Sequence, residues 1–219
     1  MKNKQLVLPI FAISVAFFAA ATWYMTGSGR TPAASPVKPE IAETLIRSHS
    51  PVLGPEEAPV TITEFFDPAC EACRAFHPIV KDILEEYDGK VRVVLRYTPF
   101  HGEGSEEAIR VLEAARMQGI FEPVLEAILQ YQPQWAAHGA PAPGLIVRIA
   151  EQAGLDVEMA QGQMKAPQTM AILNQDRADV EAVGITQTPT FFVNGKSLDE
   201  FGEGALRALV AAEVAAAGS

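Results

Sequence analysis

The feature that most constrains the fold is a β-branched and aromatic run that ends beside two closely spaced cysteines. Val60-Thr61-Ile62-Thr63-Glu64-Phe65-Phe66 is short and bounded by Pro59 and Pro68, which predicts a buried strand. Asp67-Pro68-Ala69 turns the chain. From Cys70 to Tyr87 apolar residues recur at helical spacing (Cys73, Phe76, Val80, Ile83, Leu84, Tyr87) until Asp88-Gly89 supplies a stop. Val91 to Tyr97 predicts a second strand, so the segment predicts a βαβ unit with both cysteines in the first helical turn. At i and i+3 on a helix the two β-carbons stand about 5 to 6 Å apart, close enough for a disulfide to open and close with small adjustment. Unpaired N–H groups and the macrodipole at the helix start stabilise an anion and draw the first thiol down from about 8.5 toward about 3.5 to 7.5. Cys70 is therefore the expected nucleophile. Cys73, one turn further in, is the expected resolving thiol that attacks the mixed disulfide. A static bridge is the alternative reading, but so short a loop removes little chain entropy when closed.

Downstream the sequence becomes helical. Ser105, Pro123, Pro143, Asp156 and Pro167 open five predicted helices between Ser105 and Val183, with a loop expected over Tyr131–Pro143. Strand chemistry returns at Thr190-Phe191-Phe192-Val193, followed by the hairpin signal Asn194-Gly195 and an Ala-rich last helix from about Glu203 to Ala216.

At the other end, Lys2 and Lys4 precede an uncharged stretch from Leu6 to Met25 whose 20 residues match a bilayer core. Residues 1–26 are expected to be a signal-anchor or a signal peptide. Ala19-Ala20-Ala21 favours cleavage, Trp23-Tyr24 favours retention as a tether, and either places the rest on the extracytoplasmic side. Residues 27–50 read as a Pro/Gly/Ala-rich tether with a short helix over Ile41–Ser50, and residues 51–219 as the catalytic domain. The net charge of -10, with four of the 17 basic side chains but one of the 27 acidic ones in residues 1–40, argues against nucleic acid as a partner.

The stretch Phe65-Phe66-Asp67-Pro68-Ala69-Cys70-Glu71-Ala72-Cys73-Arg74-Ala75-Phe76-His77-Pro78, joined to Gly184-Ile185-Thr186-Gln187-Thr188-Pro189-Thr190-Phe191-Phe192-Val193-Asn194-Gly195, resembles the thioredoxin-like superfamily. Within it the chain resembles the exported DsbA-type thiol:disulfide oxidoreductases. The resemblance implies an α/β thioredoxin-like fold over about residues 52–216, with a helical insertion at about 103–183 between a βαβ half and a ββα half. It implies that Pro189 is a cis-proline facing the cysteines, and that Thr188 offers its backbone to an extended substrate segment. It implies that Glu64, six positions before Cys70, is a buried acid beneath the second cysteine. It also matches Pro78 to the proline that kinks the active-site helix. A trans Pro189 at a strand start and a Glu64 that reaches water are the plain alternatives.

Between the cysteines, DsbA-type oxidants commonly carry Pro followed by His or Tyr, whereas this chain has Glu71-Ala72. An exposed carboxylate beside Cys70 opposes its thiolate by about 0.3 to 1 kcal/mol, so Glu71 and Ala72 are expected to make a milder oxidant. No cofactor or bound metal is expected, although Cys70, Cys73 and His77 form a C-x2-C-x3-H set that could hold Cu(I) in a redox carrier. His77 more simply lies on the helix surface, and His49, His101 and His138 are expected to be solvated. Tyr131 and Trp135 either flank a substrate groove or pack under the insertion, and the Glu106-Glu107 pair suits a helix start. The functional expectation is disulfide exchange with exported proteins, as an oxidant recycled by a membrane redox partner. A reductase or isomerase kept reduced by such a partner is the alternative within the class.

Overall fold

The computed structural model describes residues 39–137 and 142–218, so the signal or anchor segment, most of the tether and His138 lie outside the described residues. In chain order the elements are α1 (Pro39–Leu45), β1 (Val52–Leu53), β2 (Val60–Phe66), α2 (Glu71–Glu86), β3 (Val91–Tyr97), α3 (Glu103–Met117), α4 (Phe121–Gln130), α5 (Gln132–Trp135), α6 (Gly144–Gln152), α7 (Val157–Gln163), α8 (Pro167–Val183), β4 (Thr190–Val193), β5 (Lys196–Ser197) and α9 (Glu203–Ala217). The sheet order is β1-β3-β2-β4-β5. Strand β2 pairs in parallel with β3 from Val60↔Val91 to Phe66↔Tyr97, and antiparallel with β4 from Ile62↔Val193 to Phe65↔Thr190.

All seven residues of β2 are buried, as befits a central strand covered on both faces. Alternation then sorts its side chains. Val60, Ile62 and Phe66 join the main core with Cys73, Val80 and Ile83 of α2, while Phe65 joins Leu45, Val180 and Phe192 on the opposite face. Glu64, in phase with Ile62 and Phe66, therefore belongs to the α2 face.

Three elements depart from the sequence reading. Strand β1 is two residues long, too short to leave a periodic signal, and pairs antiparallel with β3. After it, Gly54 turns with φ +86, where a β-carbon would meet the Val91 carbonyl oxygen at 3.1 Å. The expected loop at Tyr131–Pro143 contains α5, because Pro133 presets a helical φ in its first turn and Trp135 is fully buried, its indole N–H donating to the Ile128 carbonyl at 2.9 Å. Helix α1, expected within the tether, instead covers Phe65 and Phe192, with Leu45 2% exposed. The other five insertion helices lie where expected, with α3 and α4 starting two residues before Ser105 and Pro123. Asp156 caps α7 by accepting the Met159 N–H at 3.0 Å.

A buried charge network fastens α1 to the sheet. Arg96 on β3 is fully buried and donates to Asp176 at 2.9 Å and Asp179 at 2.6 Å on α8, and to the Thr44 carbonyl oxygen at the end of α1. Asp176 also accepts the Tyr97 N–H at 2.8 Å, and His49 Nε2 lies 2.8 Å from it, so His49 is not the freely solvated side chain expected. Arg47 forks onto Asp179 through Nε at 2.8 Å and Nη2 at 2.7 Å. Burial alone would raise the Asp179 carboxyl, but hydrogen bonds from Arg47, Arg96 and Gln175 hold it down at about 2. Removing one member of a fully desolvated pair strands the other charge, which costs about 3 to 5 kcal/mol. Urea unfolding should accordingly show Asp176→Ala losing about that much stability, and Arg47→Ala, whose side chain is partly exposed, losing about 1 kcal/mol or less. Equal losses would refute this hierarchy.

Candidate active site

The parallel pairing of β2 and β3 brings the chain segments that follow them to one end of the sheet, and the antiparallel β4 starts at that same end. Cys70 sits there as the N-cap of α2, with extended φ/ψ of -76 and 123, and Cys73 lies in the first turn. Cys70 is 7% exposed and Cys73 0%. Both are free thiols. The Thr188–Pro189 peptide is cis, and the Cys70 S–H donates to the Thr188 carbonyl oxygen at 3.2 Å. The structure thus brings Cys70, Cys73, Thr188 and Pro189 together.

The two sulfurs ionise in opposite directions. A hydrogen bond from the Cys73 thiol, then one from the Thr188 side chain and those from the Cys73 and Ala72 N–H groups, outweigh burial and lower Cys70 to about 5. The neighbouring thiol, rather than the helix end, is the leading cause. Cys73 is pushed far above the ordinary thiol range by burial, by its hydrogen bond to Cys70 and by the charge of Glu64. Glu64, 3% exposed on β2, is raised to about 8 by burial and by the Cys70 charge. Glu71 is exposed and Ala72 half-buried at the mouth.

Several residues passed over in the sequence hold this site. Asp67, fully buried, accepts from the Ala69 N–H at 2.9 Å and from the Phe100 N–H at 2.8 Å, while its own N–H donates to Cys73 Sγ at 3.5 Å. His101 Nδ1 lies 2.7 Å from the same carboxylate, so His101 is not simply solvated. Gln132 of α5, 1% exposed, donates to the carbonyls of Pro68 at 2.8 Å and Cys70 at 2.9 Å and accepts from Arg74 Nε at 2.9 Å. The Asp67 turn had a local signal, an Asp followed two residues on by a free N–H. The long-range partners had none.

The remaining candidate residues are also placed, and His77 is corrected. His77 is half-buried rather than on the surface: burial lowers its pKa, and its Nε2 has no hydrogen-bond partner. Among the described residues no group of three His, Cys, Asp or Glu side chains is placed to hold a metal, so the Cys70, Cys73 and His77 set does not assemble. Trp135 is core and lines no groove, while Tyr131 is 36% exposed. Glu106 and Glu107 pair with Arg110 at 3.5 and 3.0 Å.

Residues 47–212 match the family model described as Thioredoxin. Among curated proteins the chain is 34% identical over 163 residues to a Na(+)/H(+) antiporter NhaA of Herminiimonas arsenicoxydans, covering 74% of this chain and 24% of the antiporter. The chain thus spans about a quarter of the length of that relative. It is 28% identical over 165 residues to Disulfide bond formation protein D of Bacillus subtilis, covering 70% of this chain and 71% of that protein. Among solved structures, a thioredoxin-like oxidoreductase from Silicibacter pomeroyi superposes with a TM-score of 0.67 at 34% identity, covering 78% of this chain and 96% of the other. The α-DsbA1 of Wolbachia pipientis shares the fold, with a TM-score of 0.69 at 22% identity over 81% of this chain and 96% of that one. The chain therefore belongs to the thioredoxin family, with helices α3 to α8 separating the two halves of its fold.

Proposed function

We propose that the protein is an extracytoplasmic thiol–disulfide oxidoreductase that passes a Cys70–Cys73 disulfide to the thiols of exported proteins. The observation that carries this reading is the opposite ionisation of two adjoining sulfurs, Cys70 at about 5 and Cys73 far above it. A substrate thiolate attacks Cys70 Sγ, the bridge breaks, and Cys73 leaves as a thiolate that must take a proton. Glu64, at about 8, is protonated at neutral pH and supplies it. A second substrate thiolate then attacks the substrate sulfur of the mixed disulfide. Cys70 leaves as a stable anion, two substrate thiols have become a disulfide, and the two electrons rest on Cys70 and Cys73. The cis Thr188–Pro189 bond sets strand-like backbone beside Cys70, where an extended substrate segment can dock.

The direction follows from the same anion. A leading thiol about two pKa units below neutral pH stabilises the reduced form by about 2.7 kcal/mol, which makes the pair about 60 mV more oxidising than one with an ordinary thiol. The name of the Bacillus subtilis relative, a disulfide bond formation protein, supports oxidation. Glu71, exposed beside Cys70, tempers it. Export, a tether at residues 6–25 and a membrane partner that renews the bridge rest on the sequence alone; no helix among the described residues is long and apolar enough to cross a membrane.

Titration, substitution and redox measurements test this reading. Iodoacetamide alkylation of the reduced protein against pH should show Cys70 ionising with a midpoint of about 5, and a midpoint near that of free cysteine, about 8.5, would refute the mechanism. Because the depressed thiol favours the reduced form above that midpoint, the stability advantage of reduced over oxidised protein should fade as pH drops from about 8.5 to about 5. Glu64→Gln should slow exchange at pH 7 by about 100-fold. That deficit should shrink above pH 8, where the native carboxyl is itself ionised. In a glutathione titration Glu71→Pro should raise the reduction potential by about 5 to 20 mV; no rise removes Glu71 as a tuning residue. A bridge found mostly open in cells would favour the reductase or isomerase reading over oxidation.

A further inference from the structure

Cys73 passes through its anion whenever it leaves or attacks, yet burial, Cys70 and Glu64 all oppose that charge. The contact that favours it is the Asp67 N–H, 3.5 Å from Sγ. Where that N–H points is decided by the buried Asp67 carboxylate. Its Oδ1 accepts from Ala69 N–H at 2.9 Å. Its Oδ2 accepts from the N–H groups of Phe100 at 2.8 Å and His101 at 3.2 Å, and lies 2.7 Å from His101 Nδ1. The ring nitrogen is thus placed to add a third contact to Oδ2 beside the two backbone N–H groups. The His101 segment is itself anchored. Thr98 N–H donates to the Phe66 carbonyl at 2.9 Å, and the His101 N–H is shared with Ser105 Oγ at 3.3 Å, a fully buried side chain in the first turn of α3. The imidazole ring is 43% exposed, so truncating it opens no core cavity.

We infer that His101 is a positioning residue for disulfide exchange, holding Asp67 so that the Asp67 N–H is aimed at the Cys73 sulfur as that sulfur becomes an anion. The role rests on the exchange chemistry proposed above. It acts on the resolving sulfur and not on Cys70, whose thiolate is stabilised by other groups. The step it serves is intramolecular. In a mixed disulfide between Cys70 and a glutathione sulfur, Cys73 passes its proton to the minority of Glu64 that is ionised at neutral pH and attacks Cys70 Sγ. The Cys70–Cys73 bond forms, the bond to glutathione breaks, and the glutathione thiolate departs with the electron pair and is protonated by water.

Stopped-flow reaction of the reduced protein with increasing oxidised glutathione separates two rates. The second-order attack by Cys70 rises with concentration, and the plateau reports resolution by Cys73. His101→Ala should lower the plateau by about tenfold, the size expected when a charge-assisted hydrogen bond is loosened. The second-order rate and the Cys70 alkylation midpoint should stay as in the wild type. His101→Asn, whose side-chain amide keeps a donor toward Asp67, should restore the plateau to within about twofold. Should His101→Ala not fold, His101→Leu fills the space of the ring without a donor and should show the same slowing. An unchanged plateau in the donor-free variant, equal slowing in His101→Asn, or a Cys70 midpoint that moves with the plateau would overturn the role while leaving the exchange reading intact. A wild type inert to oxidised glutathione would overturn both.

Discussion

Ionising one sulfur while its neighbour three residues on stays protonated depends on where the chain passes from strand to helix. Cys70 occupies the N-cap, where N–H groups are unspent and the mouth of the site is near; Cys73 is one turn inside, in contact with the core that β2 and α2 share. The same few ångströms separate a site that tolerates an anion from one that rejects it. Glu64, in phase with Ile62 and Phe66 on the strand beneath, is buried by the same packing, which keeps its proton available at neutral pH. The chemistry is thus a consequence of a burial gradient and of the hydrogen bond between the two sulfurs rather than of unusual residues.

The gradient is held in place from three directions that the sheet topology brings together. Parallel strands β2 and β3 end on one side, and antiparallel β4 begins there, so the turn at Asp67, the segment at His101 and the Thr188–Pro189 bond meet around the sulfurs. Sites at the carboxyl ends of parallel strands are a general outcome of such connections. Behind them, on the other face of the sheet, the buried Arg96 network binds α1 and α8 to β3.

The helical insertion is part of the site and not a decoration on it. Gln132 reaches from α5 to the carbonyls of Pro68 and Cys70, and Arg74 on the active-site helix holds the Gln132 side chain in turn. Ser105 at the head of α3 shares the His101 N–H. Gln132 is a buried polar group whose partners come from the βαβ half of the fold, so displacing α5 would leave unpaired groups beside the reactive sulfur.

Strands β2 and β3, the start of α2 at the cysteines, the Asn194-Gly195 hairpin and the caps of α6, α7 and α8 were legible because each is written in a local pattern of period, cap or turn residue. So were Cys70, Cys73 and, through the family resemblance, Glu64, Thr188 and Pro189. The two-residue β1, helix α5 with its buried Trp135, and the burial of His77 were not, since they arise from packing rather than periodicity. The partners of Asp67, Arg96 and Gln132 lie 34, 80 and 64 residues away along the chain, a distance over which composition carries no register. The sequence by itself determined that two sulfurs adjoin at the start of α2. Only the tertiary structure decided which of the two sulfurs bears the charge, because that depends on depth below the surface and on the hydrogen bonds each sulfur receives.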